Sequence, residues 1–245
     1  MTPGMLRQIL KAILNGTQPG PIALDTLKED LNVTGEALED ALNQLQEEGL
    51  VTVSGDALEL TRDNRLGLAV RAIELGADFQ TVSRSLGWLE FEELAAHVFE
   101  MNGYSVHRRF RFQAEGRRWE MDVLALRSPY IVCAECKHWT KGIGNSTARG
   151  IIETHLEKTE VFSRHLHQLA KKIRAHRWGH ATVVPLALTM APTDMNIYRR
   201  VPCVSILTLP SFLDEFGGQL ERLAYHRVEL PPWKPKPTQT RLRPS

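Results

Sequence analysis

The 245-residue sequence is poor in three features that would define common classes of protein. It has three cysteines, an odd number that is too small for a disulfide framework, which fits a reducing compartment. Its longest uncharged apolar run, near residues 181–192, is too short to cross a bilayer, and no basic-then-apolar leader opens it. The glycine-containing stretch 141–145 lacks the Gly-Lys-Ser or Gly-Lys-Thr of a phosphate-binding loop. We therefore expect a cytoplasmic protein with no membrane partner and no nucleotide cofactor.

What is present is an ordinary globular composition with an uneven distribution of charge. Hydrophobic residues make up 42% of the chain and charged residues 24%, which is enough apolar side chain for a substantial core. Residues 1–60 carry three basic and ten acidic side chains, a net charge of −7, so the remainder carries +8 against an overall +1. This asymmetry predicts an acidic module joined to a domain with an anionic partner, and nucleic acid is the obvious candidate.

The acidic module, residues 1–62, has the pattern of three helices followed by a small hairpin. The predicted helices lie near residues 6–14, 24–31 and 34–49, and the predicted strands near residues 50–53 and 57–61. Thr34 is a typical N-cap for the third helix, and Gly49 stops it. This order of elements resembles a winged helix.

Winged helices often place their third helix in the major groove of DNA, where basic and amide side chains contact bases and phosphates. Here that helix has no lysine or arginine and several acidic residues, which are Glu36, Glu39, Asp40, Glu47 and Glu48. Phosphates would be repelled by this surface. A dimerisation or partner-docking role is therefore favoured over DNA binding for this module.

Three further segments follow the module. Residues 63–87 carry two helical patterns separated by Gly76 and contain no flexible linker composition, which predicts a stiff helical connector. Residues 88–228 have the mixed pattern of an α/β domain. Residues 229–245 form a proline-rich basic tail that we expect to be extended and mobile, with weak affinity for anions.

The pattern of residues 88–228 predicts a mixed sheet flanked by helices. The predicted order is a helix at 88–102, three strands within 104–137, a long helix from Thr147 to about His176, strands at 182–190 and 201–209, and a last helix from Ser211 to about Tyr225. Pro192 and Asp194 are predicted to start a short helix between the last two strands. The two C-terminal strands are continuous and β-branched, as the centres of sheets are.

Basic residues gather on the first strand pair, after the third strand and at the end of the long helix. The candidates for contact with DNA are Arg108, Arg109, Arg111, Arg117, Arg118, Lys141, Lys171 and Lys172. Those on the strand pair are interleaved with aromatic residues, a pattern that suits contact with a polyanion. A solvated basic surface, or cations placed at the C-terminus of a helix, would explain the same pattern.

Three charged residues in otherwise apolar strands form the candidate site. Glu135 and Lys137 are two residues apart, so they share one face of their strand, and Asp122 lies on the neighbouring strand. Glu92 lies at the edge of the apolar face of the preceding helix, about 90° from its centre at 100° per residue. Two carboxylates and a lysine suit a Mg²⁺ site that hydrolyses a phosphodiester, although a surface salt bridge would satisfy the strand pattern equally well.

The motifs Phe91-Glu92, Gly103-Tyr104, Asp122-Val123-Leu124-Ala125 and Ala134-Glu135-Cys136-Lys137-His138-Trp139 together resemble the Mrr-like restriction endonucleases of the PD-(D/E)xK superfamily. The resemblance covers about residues 88–180. It implies that Glu92, Asp122 and Glu135 are metal ligands together with the backbone carbonyl of Cys136, and that Lys137 is the catalytic lysine.

The sequence departs from the pattern of this family in one place. Many relatives have Asp-Gly-Gly-Ile before the catalytic aspartate, whereas this chain has Arg118-Trp119-Glu120-Met121, and Glu120 is therefore a further candidate metal ligand.

The spacing of Cys133, Cys136 and His138 also suggests zinc binding or redox chemistry. A separation of three places the two sulfur atoms on opposite faces of an extended strand, and no second cysteine pair completes a set of four ligands. Both alternatives are therefore disfavoured.

These observations predict a Mg²⁺-dependent endodeoxyribonuclease, for which Mn²⁺ could substitute, with DNA as its substrate. Restriction of foreign DNA and cleavage of repair or recombination junctions both remain open. We expect a homodimer, for which the acidic module could supply the contact. The rival hypotheses are a non-catalytic DNA-binding or regulatory protein that keeps the fold, and an acidic adaptor that docks to another protein.

Overall fold

The structure is a computed structural model that describes residues 2–16, 21–31, 34–137, 145–190, 192 and 195–230. The predicted contact residue Lys141, the motif residues His138 and Trp139, and the tail from residue 231 onward lie outside these ranges. Among the described residues, no helix combines the length and the apolar character that crossing a bilayer requires.

The N-terminal module contains three helices and a three-stranded antiparallel sheet. Its elements are α1 (Pro3–Gly16), β1 (Ile22–Ala23), α2 (Leu24–Asp30), α3 (Gly35–Glu47), β2 (Thr52–Ser54) and β3 (Ala57–Glu59), and the sheet order is β1-β3-β2. Helix α3 begins where Thr34 Oγ1 accepts a hydrogen bond from Ala37 N at 3.3 Å. The sequence pattern does not reveal β1, because two residues are too few for a detectable period.

The connector consists of α4 (Arg62–Glu74) and α5 (Phe79–Arg84). Arg65 of α4 is buried and forms an ion pair with Glu90, with 2.7 Å between Nε and Oε1. Its guanidinium also donates to the carbonyl oxygens of Leu14 and Ser85. One side chain therefore joins the end of α1, the end of α5 and the start of the next helix.

The remaining elements form the predicted mixed sheet flanked by helices. They are α6 (Trp88–Met101), β4 (Ser105–Ala114), β5 (Arg117–Arg127), β6 (Tyr130–Lys137), α7 (Asn145–Arg164), α8 (Leu166–Leu169), β7 (His180–Thr189), β8 (Ile197–Tyr198), β9 (Val201–Ser205), α9 (Leu209–Glu215), a 3₁₀ helix (Phe216–Arg222) and β10 (His226–Glu229). The strand order is β4-β5-β6-β7-β9-β8, and β10 pairs with β7. Strands β4, β5 and β6 are antiparallel neighbours, whereas β6, β7 and β9 are parallel.

Both faces of this sheet are covered. Helices α6 and α9 pack on one face, in a cluster of buried apolar side chains that continues through the connector into α1 and α3. Helices α7 and α8 pack on the other face against alternate residues of the same strands. The alternation explains why apolar runs such as residues 131–134 are buried on both sides.

The predicted long helix does not continue to His176. Helix α7 ends at Arg164, the four-residue α8 follows, and the next residues form turns. At His165 the backbone N–H is shared between Val161 O and Phe162 O, both at 3.2 Å, and the ring nitrogen Nδ1 lies 3.0 Å from Val161 O. Competition of this side chain for the helical carbonyl accounts for the break, which periodicity alone does not show.

A second prediction is wrong between the last two long strands. Among residues 195–200 the chain forms strand β8 rather than a helix. Strand β8 pairs with β9 through Ile197–Pro202 and Tyr198–Val201, with Arg199 and Arg200 at the turn, both at positive φ. The turn follows from pairing at the sheet edge and not from turn-forming residues, so the local sequence gives little sign of it.

Candidate active site

The candidate site lies where strands β5 and β6 stop pairing. Paired positions along these two strands run from Arg127–Tyr130 to Val123–Ala134. Asp122 is the next residue on β5, and Glu135 is the next on β6. On its other side β6 continues to pair with β7 as far as Lys137–Thr189. The strands thus form a fork, and the three charged residues of the sequence motif lie at its opening.

Asp122 occupies the space between the two arms of the fork. Its Oδ2 accepts a hydrogen bond of 2.8 Å from the backbone N–H of Cys136, a group that has no ladder partner on β5. Burial raises the pKa of Asp122, and the negative charge of Glu135 raises it further, although the hydrogen bond and the nearby lysines oppose this. Among the described residues no cation forms an ion pair with Asp122, so the like charge of Glu135 is only partly offset.

Glu135 is held by cations. Its Oε1 lies 2.9 Å from Lys137 Nζ, and its Oε2 contacts Lys158 Nζ. Burial alone would raise the pKa of Glu135, but His155, Lys158 and Lys137 outweigh this and hold it well below its usual range. In turn, Glu135 outweighs the burial of Lys137 and raises the pKa of that lysine. At neutral pH the pair is therefore a carboxylate and an ammonium.

Sequence reasoning missed His155 and Lys158, which come from helix α7. His155 is buried, its Nε2 donates to Cys133 O at 2.8 Å, and its Nδ1 lies 3.5 Å from Glu135 Oε2. Lys158 is also buried, and its Nζ donates to Glu120 O at 2.7 Å. A signal was present, because His155 falls on the apolar stripe of α7 between Ile152 and Phe162, where a polar side chain needs a partner.

Glu92 reaches the site from helix α6, on the opposite face of the sheet from α7. Its side chain is 4% exposed, and its Oε2 lies 3.0 Å from the Nε of Arg109. Burial raises the pKa of Glu92, the hydrogen bond from Arg109 opposes this, and the negative charges of Asp122 and Glu120 add to it. Glu92 is thus near the other carboxylates, but an arginine already neutralises it.

Arg109 lies at an interruption of the ladder between the edge strand β4 and β5. The register passes from the pair Arg108–Val123 to the pair Phe110–Met121, so Arg109 and the opposite Asp122 are left unpaired, and Arg109 has a φ of 47°. This left-handed conformation is unfavourable for arginine by about 1 to 2 kcal/mol. The ion pair with Glu92 gives a physical reason for the strain at this position.

The cysteines have no catalytic environment. Cys133 and Cys136 are buried free thiols, and they pack in clusters on opposite faces of the sheet, as strand alternation predicts. Burial raises the pKa of the Cys133 thiol to about 12 and that of Cys136 well above its ordinary value. Cys136 contributes its backbone N–H to Asp122.

Several of the candidate DNA-contact residues are paired with carboxylates. Arg108 contacts Glu93 and Glu100, Arg111 contacts Glu120, and Arg117 contacts Glu157 and stacks on Trp119. Lys172 donates to Arg111 O and lies over the ring of Phe110. Arg118 and Lys171 are exposed, and no carboxylate contacts them within the described part of the chain.

Arg117 and Arg118 line one wall of an open cavity of about 610 Å³ at the tip of the β4–β5 hairpin. His165 and Gln168 line the opposite wall. These side chains place hydrogen-bond donors around a surface depression rather than in a closed binding pocket.

Within the described ranges, no three His, Cys, Asp or Glu side chains lie together as a ready set of metal ligands. Asp122 and Glu135 interact electrostatically across the fork, and His155 Nδ1 lies 3.5 Å from Glu135 Oε2. Glu120 is turned away, because its side chain pairs with Arg111 at 2.5 Å while its backbone carbonyl faces Lys158.

Comparison with known proteins gives no family assignment. No family model matches the sequence, and no curated protein matches it.

Three solved structures are similar at low TM-scores. Protein VC1899 from Vibrio cholerae has a TM-score of 0.33 and 12% identity over 90% of this chain and 56% of its own, so the chain spans about half of that protein. The small subunit of the heterodimeric restriction endonuclease R.BspD6I has a TM-score of 0.27 and 17% identity over 55% of this chain and 72% of its own. Restriction endonuclease FokI has a TM-score of 0.28 and 12% identity over 75% of this chain and 37% of its own.

Proposed function

We propose that this protein is a Mg²⁺-dependent endonuclease that hydrolyses phosphodiester bonds of DNA, of the Mrr-like type that its motifs resemble. The observation that carries the proposal is the fork itself. Asp122, Glu135 and Lys137 come from two strands and converge on the point where those strands separate. A buried carboxylate, a half-buried carboxylate and a half-buried ammonium at the ends of two interior strands are costly as a purely structural feature, because desolvated charges rarely improve stability.

The donor set fits Mg²⁺. Proteins usually bind this ion through one or two carboxylates, with water and substrate phosphate completing the shell, so the pair Asp122 and Glu135 suffices. Asp122 Oδ1 makes no hydrogen bond within the described part of the chain, and a cation would oppose the burial and the charge of Glu135 that raise the pKa of this residue. Glu92 and the carbonyl of Cys136 are the further candidate ligands. When bound, the ion would polarise the scissile phosphate and acidify water.

The chain's own residues would then carry out two tasks. Lys137 is an ammonium held against Glu135, so it would orient water or offset negative charge on the phosphorane-like transition state rather than abstract a proton. Asp122 would help to hold the ion, and with it the scissile phosphate, at the fork, because the position of its carboxylate is fixed by the N–H of Cys136. Water is the nucleophile in this proposal.

The surface beside Glu92 would carry the DNA. Arg111 and Arg118 project from the exposed face of the β4–β5 hairpin, opposite the aromatic residues that pack on α7. Backbone phosphates are the expected targets, since phosphate contacts position a protein without reading sequence.

The N-terminal module is proposed to be winged-helix-like and to dock protein rather than DNA. Its α3 exposes the acidic residues Glu36, Glu39, Asp40, Glu47 and Glu48 and presents no cation to a phosphate. A second copy of the chain is the proposed partner, because two active sites are needed when each strand of a duplex is cut by one subunit.

One observation favours a second candidate function, a non-catalytic DNA-binding protein. Among the described site carboxylates, Glu92, Glu120 and Glu135 each have an ion-pair partner, and Asp122 is the exception. A site so neutralised could be an inactive remnant of a nuclease.

A paired assay of cutting and binding tests the proposal. Supercoiled plasmid is incubated with the protein in Mg²⁺ or Mn²⁺, and binding is measured in Ca²⁺ by gel shift. The proposal expects nicking by the wild type and none by Asp122→Ala or Lys137→Ala, with binding retained in both variants. Equal cutting by all three proteins would discard the site. Salt-sensitive binding without any cutting would favour the second candidate.

A further inference from the structure

Lys158 lies outside every strand motif, yet its ammonium contacts both arms of the fork. It donates to Glu120 O on β5 at 2.7 Å and to the Glu135 carboxylate on β6. Its side chain is 11% exposed. Below the fork, backbone hydrogen bonds join β5 and β6 as far as Val123–Ala134. At the fork, two side-chain contacts replace that ladder. Asp122 accepts a hydrogen bond from Cys136 N, and Lys158 bridges Glu120 O and the Glu135 carboxylate.

We propose that Lys158 is a positioning residue that fixes the width of the fork and thereby the separation of the Asp122 and Glu135 carboxylates. This inference rests on the proposed function. Without Lys158, Glu135 keeps Lys137 on one oxygen and His155 near the other, but within the described structure neither of these groups links Glu135 to β5. The Glu135 side chain would then be free to move relative to Asp122 together with its partners on β6 and α7.

The position of Lys158 on α7 explains why it can act as a rigid tie. His155 lies one turn earlier on the same helix and donates to Cys133 O, which anchors α7 to β6 two residues before Glu135. The helix therefore holds the base of the lysine side chain while its ammonium spans the two strands. Groups that orient catalytic carboxylates in this way typically change activity by on the order of 10- to 100-fold when they are removed.

The test compares Lys158→Met, Lys158→Arg and a control on the same helix. Glu153→Gln is the matched control, because Glu153 ties α7 to β8 through Tyr198 and Arg199 and lies away from the fork. Two quantities are measured for each variant and the wild type. They are the hydrogen exchange of the segment 119–137 in the absence of metal and DNA, and the kcat and KM of plasmid cleavage in Mg²⁺.

We expect the effect of the Lys158 substitutions to be confined to the fork and to change kcat rather than KM. Lys158→Met should accelerate exchange of the Cys136 amide and lower kcat on the order of 10- to 100-fold with KM nearly unchanged. Lys158→Arg should restore part of the protection of the Cys136 amide and part of kcat, since arginine keeps the charge and several hydrogen-bond donors. Glu153→Gln should change neither quantity at the fork.

The outcomes are distinguishable from failure of the proposed function. If the wild type does not cleave DNA, the proposed function and the catalytic role of Lys158 both fail, while hydrogen exchange still decides whether Lys158 ties the strands. If the wild type cleaves and Lys158→Met has the same kcat, or its Cys136 amide exchanges as in the wild type, the positioning role is overturned.

Discussion

The backbone N–H of Cys136 donates a 2.8 Å hydrogen bond to Asp122 Oδ2, across the point where β5 and β6 separate. This contact substitutes for a rung of the sheet ladder, so it joins the geometry of the strands to the position of a carboxylate. It also places Asp122 beside Glu135 in a buried setting, where two negative charges repel each other.

Asp122→Asn should make the metal-free protein more stable while removing cleavage. The pKa of Asp122 is raised in the folded protein above its ordinary 3.8, so ionisation favours the unfolded state. The stability that the wild type has at low pH is therefore lost as pH rises from about 3.8 through the folded pKa. Urea denaturation at several pH values should show that the free energy of unfolding of the variant increases relative to that of the wild type as pH rises. A variant that is less stable at pH 7 would contradict this.

Glu135→Gln should show the opposite dependence on pH. The pKa of Glu135 is held well below its usual range, so its contribution to stability is present above the unfolded pKa and is lost as pH falls. The variant should be less stable than the wild type at pH 7, and the difference should shrink as the solution is acidified. The same denaturation series measures both carboxylates, and equal slopes for the two variants would rule out the assigned charge environments.

Two substitutions of Arg109 should separate its strain from its ion pair. Both Arg109→Ala and Arg109→Gly remove the partner of Glu92 and should destabilise the protein. Glycine tolerates the φ of 47° whereas alanine does not, so the glycine variant should be the more stable of the two by about 1 kcal/mol. Guanidinium denaturation measures the difference, and a more stable alanine variant would argue against backbone strain at this position.

Glu90→Gln should destabilise the protein by weakening the attachment of the connector to helix α6. Arg65 and Glu90 are almost fully buried, and removing one partner of a buried ion pair typically costs about 3 to 5 kcal/mol. The exposed pair Lys28 and Asp25 is the matched control, since Lys28→Met should cost well under about 1 kcal/mol. Denaturation midpoints compare the two variants, and similar losses in both would show that Arg65 has adequate partners without Glu90.

Arg118→Ala should reduce affinity for DNA more than Arg108→Ala does. Arg118 is exposed with no carboxylate contact among the described residues, whereas Arg108 is held by Glu93 and Glu100. A lost phosphate contact lowers the slope of log affinity against log salt by about 1. Binding titrations in Ca²⁺ at several salt concentrations provide the measurement. A larger effect from Arg108→Ala would place the DNA on a different surface.

The sequence predicts the strands of the site better than its helices. The two-residue period of a strand places Glu135 and Lys137 on one face, and the hairpin order brings Asp122 beside them, so local pattern is enough. The helical period of α7 places His155 on its apolar stripe, but the role of Lys158 depends on where α7 crosses the sheet, which no local period shows. The left-handed backbone at Arg109 is likewise associated with a contact to Glu92 of α6, which local pattern does not show.

The same distinction holds for the fold. The mixed sheet and its flanking helices follow from apolar periodicity, because both faces of the central strands are buried. Strand β8 and the break at His165 follow from pairing at the sheet edge and from competition for one carbonyl, and those are tertiary and side-chain effects.

We propose that Asp122, Glu135 and Lys137 together hydrolyse DNA with a divalent cation. The most direct measurement is the single-turnover rate of cutting of a supercoiled plasmid in Mg²⁺ by the wild type and by Asp122→Asn, which keeps an acceptor for the N–H of Cys136. We expect cutting by the wild type that chelation abolishes, and a loss of about 100-fold or more in the variant, since the lost stabilisation of the transition state amounts to several kcal/mol. Cutting by Asp122→Asn at the wild-type rate would contradict it.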